Sequence, residues 1–209
     1  MEQHDERIRA IFSVYLNTIT LMMVEIECLD GTYPIEIMNE IRAIFTHIAR
    51  YSESSDENVQ QKNIVKAEGH LKRALLDCYK YSCFSFIESQ IAFEQRYKNV
   101  DLSHINNGEY LIDLQKLQND ATEAFVTARK NEAKDKNAET LYTDYEKAYQ
   151  LYHKMYTLTG SITKYADELK LKADIKDRTK SQDRIIGIVG AAFGIVGVAL
   201  SILFGLHIL

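Results

Sequence analysis

Proline occurs once in 209 residues, glycine nine times and tryptophan not at all. So few turn-forming residues leave little room for the tight reversals of sandwiches, barrels and alternating strand–helix folds. The expected class is therefore all-α. The three cysteines, Cys28, Cys78 and Cys83, form no CxxC pair. Their odd number suits a reducing compartment and offers no metal site. The charged start, Met1-Glu2-Gln3-His4-Asp5-Glu6, is not a secretory signal. With 25 Lys/Arg against 30 Asp/Glu, the chain is not a globally basic nucleic-acid binder. A hydrophobic share of 46% excludes disorder.

One apolar run dominates what is present. Residues 185–209, IIGIVGAAFGIVGVALSILFGLHIL, carry no charge, and only Ser201 and His207 are polar. About 20 apolar residues cross the hydrocarbon core of a bilayer, so this stretch is expected to be a C-terminal transmembrane helix. Its flank, residues 170–184, holds six basic and three acidic side chains. The positive-inside rule then places residues 1–184 in the cytoplasm. The expectation is a single-pass, tail-anchored protein of the inner membrane, with the lipid bilayer as its first partner. Inside the run, Gly187, Gly190, Gly194, Gly197, Ser201 and Gly205 recur at three- and four-residue steps. Such steps return to one helix face, and a face without bulky side chains lets two membrane helices approach closely. A homo-oligomer is expected.

The preceding residues read as amphipathic helices: 5–28, 34–51, 57–99, 109–136 and a last one beginning near Ala138. Asp30-Gly31-Thr32-Tyr33-Pro34 should end the first, with Gly31 suited to a C-cap and Pro34 to a first turn. The first helix is half-polar through Asn17, Thr20, Glu25 and Glu27, and is expected to face the core rather than a membrane. Ser52 to Asp56 should form a polar loop with an N-cap. In the last helix Leu141, Tyr145, Ala148, Tyr152 and Met155 form a 4-3-4-3 seam like that of a short coiled coil, with Gly160 as a place for a kink. The expected organisation is a helical bundle over 1–136, a long helical connector over 137–184 and the transmembrane helix over 185–209.

No phosphate-binding loop, GxSxG, HExxH or EF-hand occurs, and the histidines lack metal-ligand spacing; no cofactor is expected. One constellation stands apart. Glu40-Ile41-Arg42-Ala43-Ile44-Phe45-Thr46-His47 and Ala67-Glu68-Gly69-His70-Leu71-Lys72-Arg73-Ala74-Leu75-Leu76-Asp77 place polar groups on two helices joined by the 52–56 loop. If these helices are antiparallel, the two sets meet. A His to move a proton and an Arg to stabilise charge on phosphate are the parts needed for RNA cleavage.

Here the chain resembles HEPN-like helical proteins, whose ribonuclease members carry Arg, four to six residues, then His; Arg42 and His47 match. The likeness covers residues 34–130 and implies Arg42 and His47 as catalytic residues if the chain is a ribonuclease. The family's nucleases carry a polar residue after the Arg where this chain has Ala43, and residues five apart on a helix lie about 140° apart. The favoured expectation is therefore a buried polar network of Arg42, His47, His70, Arg73 and Asp77, with Glu40 beside them. A small HEPN-like domain joined to a membrane segment is similar to the membrane accessory proteins of type VI-B CRISPR loci. That resemblance implies an antiphage defence effector that oligomerises into a membrane pore, with a partner defence protein. The alternatives are a membrane-tethered ribonuclease acting on RNA, or a non-catalytic scaffold.

Overall fold

The computed structural model describes the backbone of residues 2–134 and 138–205, and the side chains of residues 4–134 and 140–180. Among the described residues there is no strand; the protein is all-helical. The helices are α1 (Glu2–Val14), a π-helical turn (Tyr15–Ile19), α2 (Thr20–Asp30), α3 (Ile35–Glu53), α4 (Glu57–Arg96), a 3-10 segment (Leu102–Gly108), α5 (Glu109–Ala133) and α6 (Ala138–Gly205).

Local chemistry sets the breaks. Gly31 closes α2 in the left-handed conformation at φ 73°, its N–H donating to the Glu27 carbonyl at 2.8 Å. That conformation is easiest for a residue without Cβ. Asp56 caps α4 by accepting from the N–H groups of Asn58 and Val59. Between α4 and α5 the chain reverses through Asn106 and Asn107, at φ 47° and 52°, and Gly108 at 88°. Asparagine tolerates that region better than most residues. The single π turn inserts one residue between α1 and α2, and the Thr20 hydroxyl donates to the Tyr15 carbonyl at 2.8 Å.

The helices pack around α4, which at 40 residues is about 60 Å long. Ion pairs and ring contacts give their directions. Arg7 meets Glu68 and Asp30 meets Ser85, so α1–α2 runs parallel to α4. Glu40 meets His70 and His47 meets Asn63, so α3 is antiparallel to it. Tyr149 lies against Tyr79 and Asp167 against Arg96, so α6 is parallel to α4. Asn131 meets Asp144, so α5 returns along α6. Because α4 is enclosed by α2, α3 and α6, its buried positions are mostly small: Ala67, Ala74, Cys78, Ser82, Cys83 and Ser85. Ile64 and Phe86 are the large fully buried side chains of α4 itself, and its neighbours add others, among them Ile19, Ile26, Ile37, Tyr145 and Met155.

Several expectations shift. The second and third helices end at Glu53 and Arg96 rather than 51 and 99, and the fourth at Ala133 rather than 136. Gly160 interrupts nothing, since α6 is helical throughout. Within residues 137–184, expected as a long helical connector, Tyr145, Ala148, Tyr152, Met155, Ile162 and Ala166 are buried with the bundle, and residues 138–184 all belong to α6. The reason is the apolar seam itself, which is satisfied by α4 and α5 rather than by a coiled-coil partner. Among the described residues one helix, His4–Asp30, is long and apolar enough to cross a membrane by length and composition, with 28% of its most apolar window buried. Its inner face, including Ile11, Ile19 and Ile26, is in the core. The run at 185–209 lies outside the described side chains.

Replacing Ile26 or Ile37, both 0% exposed, by Ala is expected to cost about 2–4 kcal/mol. Val65→Ala, at an exposed site, should stay within about 0.5 kcal/mol; urea denaturation measures all three.

Candidate functional site

The α3–α4 hairpin brings together a polar cluster at the level of His47 and His70. The two imidazoles stack with centroids 5.2 Å apart and planes 21° apart. His47 is buried, and its Nδ1 lies 2.9 Å from Asn63 Oδ1. Since that oxygen only accepts, His47 carries its proton on Nδ1 in this contact. Asn63 spends its own amide on the Val59 carbonyl at 2.9 Å. His70 Nδ1 lies 2.8 Å from Glu40 Oε2 and 2.7 Å from Arg73 Nη2. Arg73 Nε also donates to Glu40 Oε2 at 3.0 Å. One ring nitrogen cannot accept from Arg73 and donate to Glu40 at once. With a proton on Nδ1, His70 donates to Glu40; with Nδ1 bare, it accepts from Arg73.

Of the residues singled out in the sequence, Glu40, His70 and Arg73 share hydrogen bonds, and His47 joins them by stacking. Arg42 does not join them. It is exposed while His47 is buried, as expected for positions five apart on a helix. The cluster is thus built from α3 positions 40 and 47, seven residues and two turns apart. Asp77 also stands aside, its nearest ion pair being Lys80 at 3.8 Å. Burial pushes the Asp77 carboxyl above its usual range; Lys80 opposes this, while Glu40 and other carboxylates add to it.

Sequence reasoning missed two neighbouring networks. Arg7 grips Glu68 through both carboxylate oxygens at 2.7 Å and reaches Gln61 at 3.0 Å. The hydrogen bond from Arg7 holds the Glu68 carboxyl below its ordinary value, against the cost of partial burial. Further along, Glu132 of α5 accepts from Lys80 of α4 at 2.5 Å and from Tyr145 of α6 at 2.6 Å. Burial alone would raise the Glu132 carboxyl, but these donors outweigh it and keep it low. Nothing in residue spacing along α1 or α5 marks either partner, because both pairs are long-range.

The arrangement has a limited chemical repertoire. The Nδ1 of each imidazole is committed to a side-chain partner, and the exposed Arg42 guanidinium is on another face. A groove of about 840 Å³ lies elsewhere, between α5 and α6, lined by Asp113, Lys116, Asp120, His153 and Lys154. There His153 Nε2 is 3.5 Å from Glu25 Oε1. Among the described residues no group of three or more His, Cys, Asp or Glu is placed to hold a metal ion. The stripe Gly187, Gly190, Gly194, Gly197, Ser201 and Gly205 lies outside the described side chains, although the α6 backbone passes through all six as helix. No family model matches the chain, and no curated protein or solved structure matches it.

Two outcomes follow. His47→Ala should cost about 1–3 kcal/mol, because it opens a gap beside His70 and strips Asn63 of its partner, whereas Arg42→Ala should stay within about 0.5 kcal/mol. Both are read by chemical denaturation. The Arg7–Glu68 pair stabilises the fold above the carboxylate's unfolded pKa, and that contribution is lost as pH falls through the lowered folded value. The stability gap between the natural chain and Arg7→Met should therefore shrink on acidification into that range, measured by denaturation across pH.

Proposed function

We propose that this protein is a membrane-anchored helical effector that self-associates through residues 185–209 and permeabilises the bilayer. The observation that carries the reading is the continuity of α6. The helix that contributes Tyr145 and Met155 to the bundle core continues without a break to Gly205, through the uncharged run and its glycine-spaced face. A rigid helix of 68 residues, about 100 Å long, couples any movement of the bundle to the apolar segment. The six-basic, three-acidic flank at 170–184 favours a cytoplasmic bundle. The likeness to type VI-B accessory proteins supplies the setting, restriction of phage at a bacterial inner membrane.

Ribonuclease activity is the weaker reading, since exposed Arg42 and buried His47 face different surroundings. In the pore reading the polar cluster of Glu40, His47, His70 and Arg73 holds α3 on α4 and does no chemistry.

Induction of the intact chain in bacteria should collapse the membrane potential, read with a voltage-sensitive dye. The double variant Gly190→Leu/Gly194→Leu should remain in the membrane fraction and leave the potential intact, because bulky side chains block close helix approach. Equal collapse with both forms, or none with the intact chain even under phage infection, refutes the reading.

A further inference from the structure

The flank built by α1, α2 and α3 carries large apolar side chains that stay largely exposed. Leu16, Leu21 and Val24 are 61%, 63% and 48% exposed, and Ile35, Met38 and Phe45 are 65%, 43% and 43% exposed. On α3, Met38 and Phe45 stand seven residues apart, two turns on one face, and Ile35 precedes Met38 by three. The Phe45 ring closes the seam to α1, with its centroid 6.3 Å from Phe12 and 5.7 Å from Tyr15. The two sets therefore join across that seam.

At roughly 150 Å² for each such side chain fully exposed, the six leave about 500 Å² open. That is within the range of the largest patch on a typical monomer, and it is over half of the roughly 800 Å² that each partner contributes to a standard interface.

The axis of α6 decides between occupants. Asp167 of α6 is level with Arg96 at the end of α4, so residue 185 lies roughly 27 Å further along the helix. Glu40 is level with His70, well up α4 in the opposite direction. About 65 Å of helix thus separates the middle of this face from the start of the apolar run. A bilayer holding residues 185–209 does not reach it. With α6 upright on a membrane, the α1–α3 flank faces sideways, the direction in which neighbouring copies stand.

We infer that this flank is the contact between cytoplasmic bundles of neighbouring copies of the chain. The inference rests on residues 185–209 being the anchor, and it adds a second contact to the one inside the membrane. The bundles supply apolar area and a fixed lateral face, while the glycine-spaced segment supplies close approach in lipid.

The test uses the full chain in vesicles, in a Cys28→Ser background, with Met38→Cys as a reporter and Ile112→Cys, on exposed α5, as a control. A water-soluble maleimide should label the Met38→Cys thiol at least tenfold more slowly at high protein-to-lipid ratio than after dilution with lipid. The control should show no such dependence, and adding Leu21→Glu/Ile35→Glu should remove the protection. Fast labelling at every ratio overturns the inference. Protection independent of protein density overturns it too, since lipid would then be the occupant. Ion flux measured in the same vesicles separates the two ideas: protection without flux refutes the pore and leaves the interface, and flux without protection does the reverse. Flotation of the vesicles checks the anchor itself.

Discussion

The structure depends on the enclosure of α4. A helix with neighbours on three sides keeps little exposed surface, here with Lys62, Lys66, Lys72 and Arg73 on it, and large side chains at every inward position would hold those neighbours apart. The chain meets this with Ala67, Ala74, Cys78, Ser82, Cys83 and Ser85, all nearly or fully buried, and takes most of the bulk from α1–α2, α3 and α6, with Ile64 and Phe86 the large fully buried exceptions on α4. The buried hydroxyl of Ser85 has two acceptors within reach, Asp30 and the Tyr81 carbonyl, so it adds little desolvation cost. Everything distinctive about the molecule hangs on this axis. The polar hairpin is fixed on one side of α4, α6 is fixed on another, and the α1–α3 flank is left open because α4 has already satisfied the inner faces of those helices.

The polar cluster shows how a buried network specifies register. Apolar contacts between α3 and α4 would tolerate a slip by a turn, since Ile37, Ile41 and Ile44 repeat at helical spacing. The pairs Glu40–His70 and His47–Asn63 would be broken by that slip, leaving partly buried groups unpaired at about 1–3 kcal/mol each. Fixing the register of this hairpin also fixes where Met38 and Phe45 emerge on the flank. The network thus has a role in shape that needs no catalysis.

The helices and most of the breaks were legible in the sequence because their causes are local: Gly31 in the left-handed region, Asp56 as a cap, and the run of apolar positions at three and four. The meeting of the two polar sets was legible as well. Glu40 and His70 are equally distant from Ser55, as are His47 and Asn63, and an antiparallel hairpin turning at Ser54–Asp56 sets equal distances side by side. Arg42 was the wrong choice of partner for His47 because a short motif counts residues whereas a helix counts angle. Contacts such as Arg7–Glu68 and Lys80–Glu132 were not legible. They follow from which helices share α4, and alternation of apolar residues in a single helix carries no record of its neighbour. That residues 145–166 would pack into the bundle was not legible for the same reason: a seam of Tyr, Ala and Met describes a partner without saying whether it belongs to the same chain.

Similar ambiguity governs the first helix. His4–Asp30 passes a membrane test by length and composition, yet its most apolar side, with Ile11, Ile19, Met22 and Ile26, is spent on α4. What remains outside, Leu16, Leu21 and Val24, is too narrow a stripe for lipid on all sides, and Asn17, Glu25 and Glu27 stand beside it. A helix apolar on two faces and polar on the others is suited to lie between two protein surfaces. One of those surfaces is α4. Since membrane anchoring through α6 would hold copies of the bundle upright and close together, the second surface need supply only modest affinity: confinement to a membrane raises the local concentration of copies, so an apolar face too small to hold a dimer in free solution becomes sufficient there.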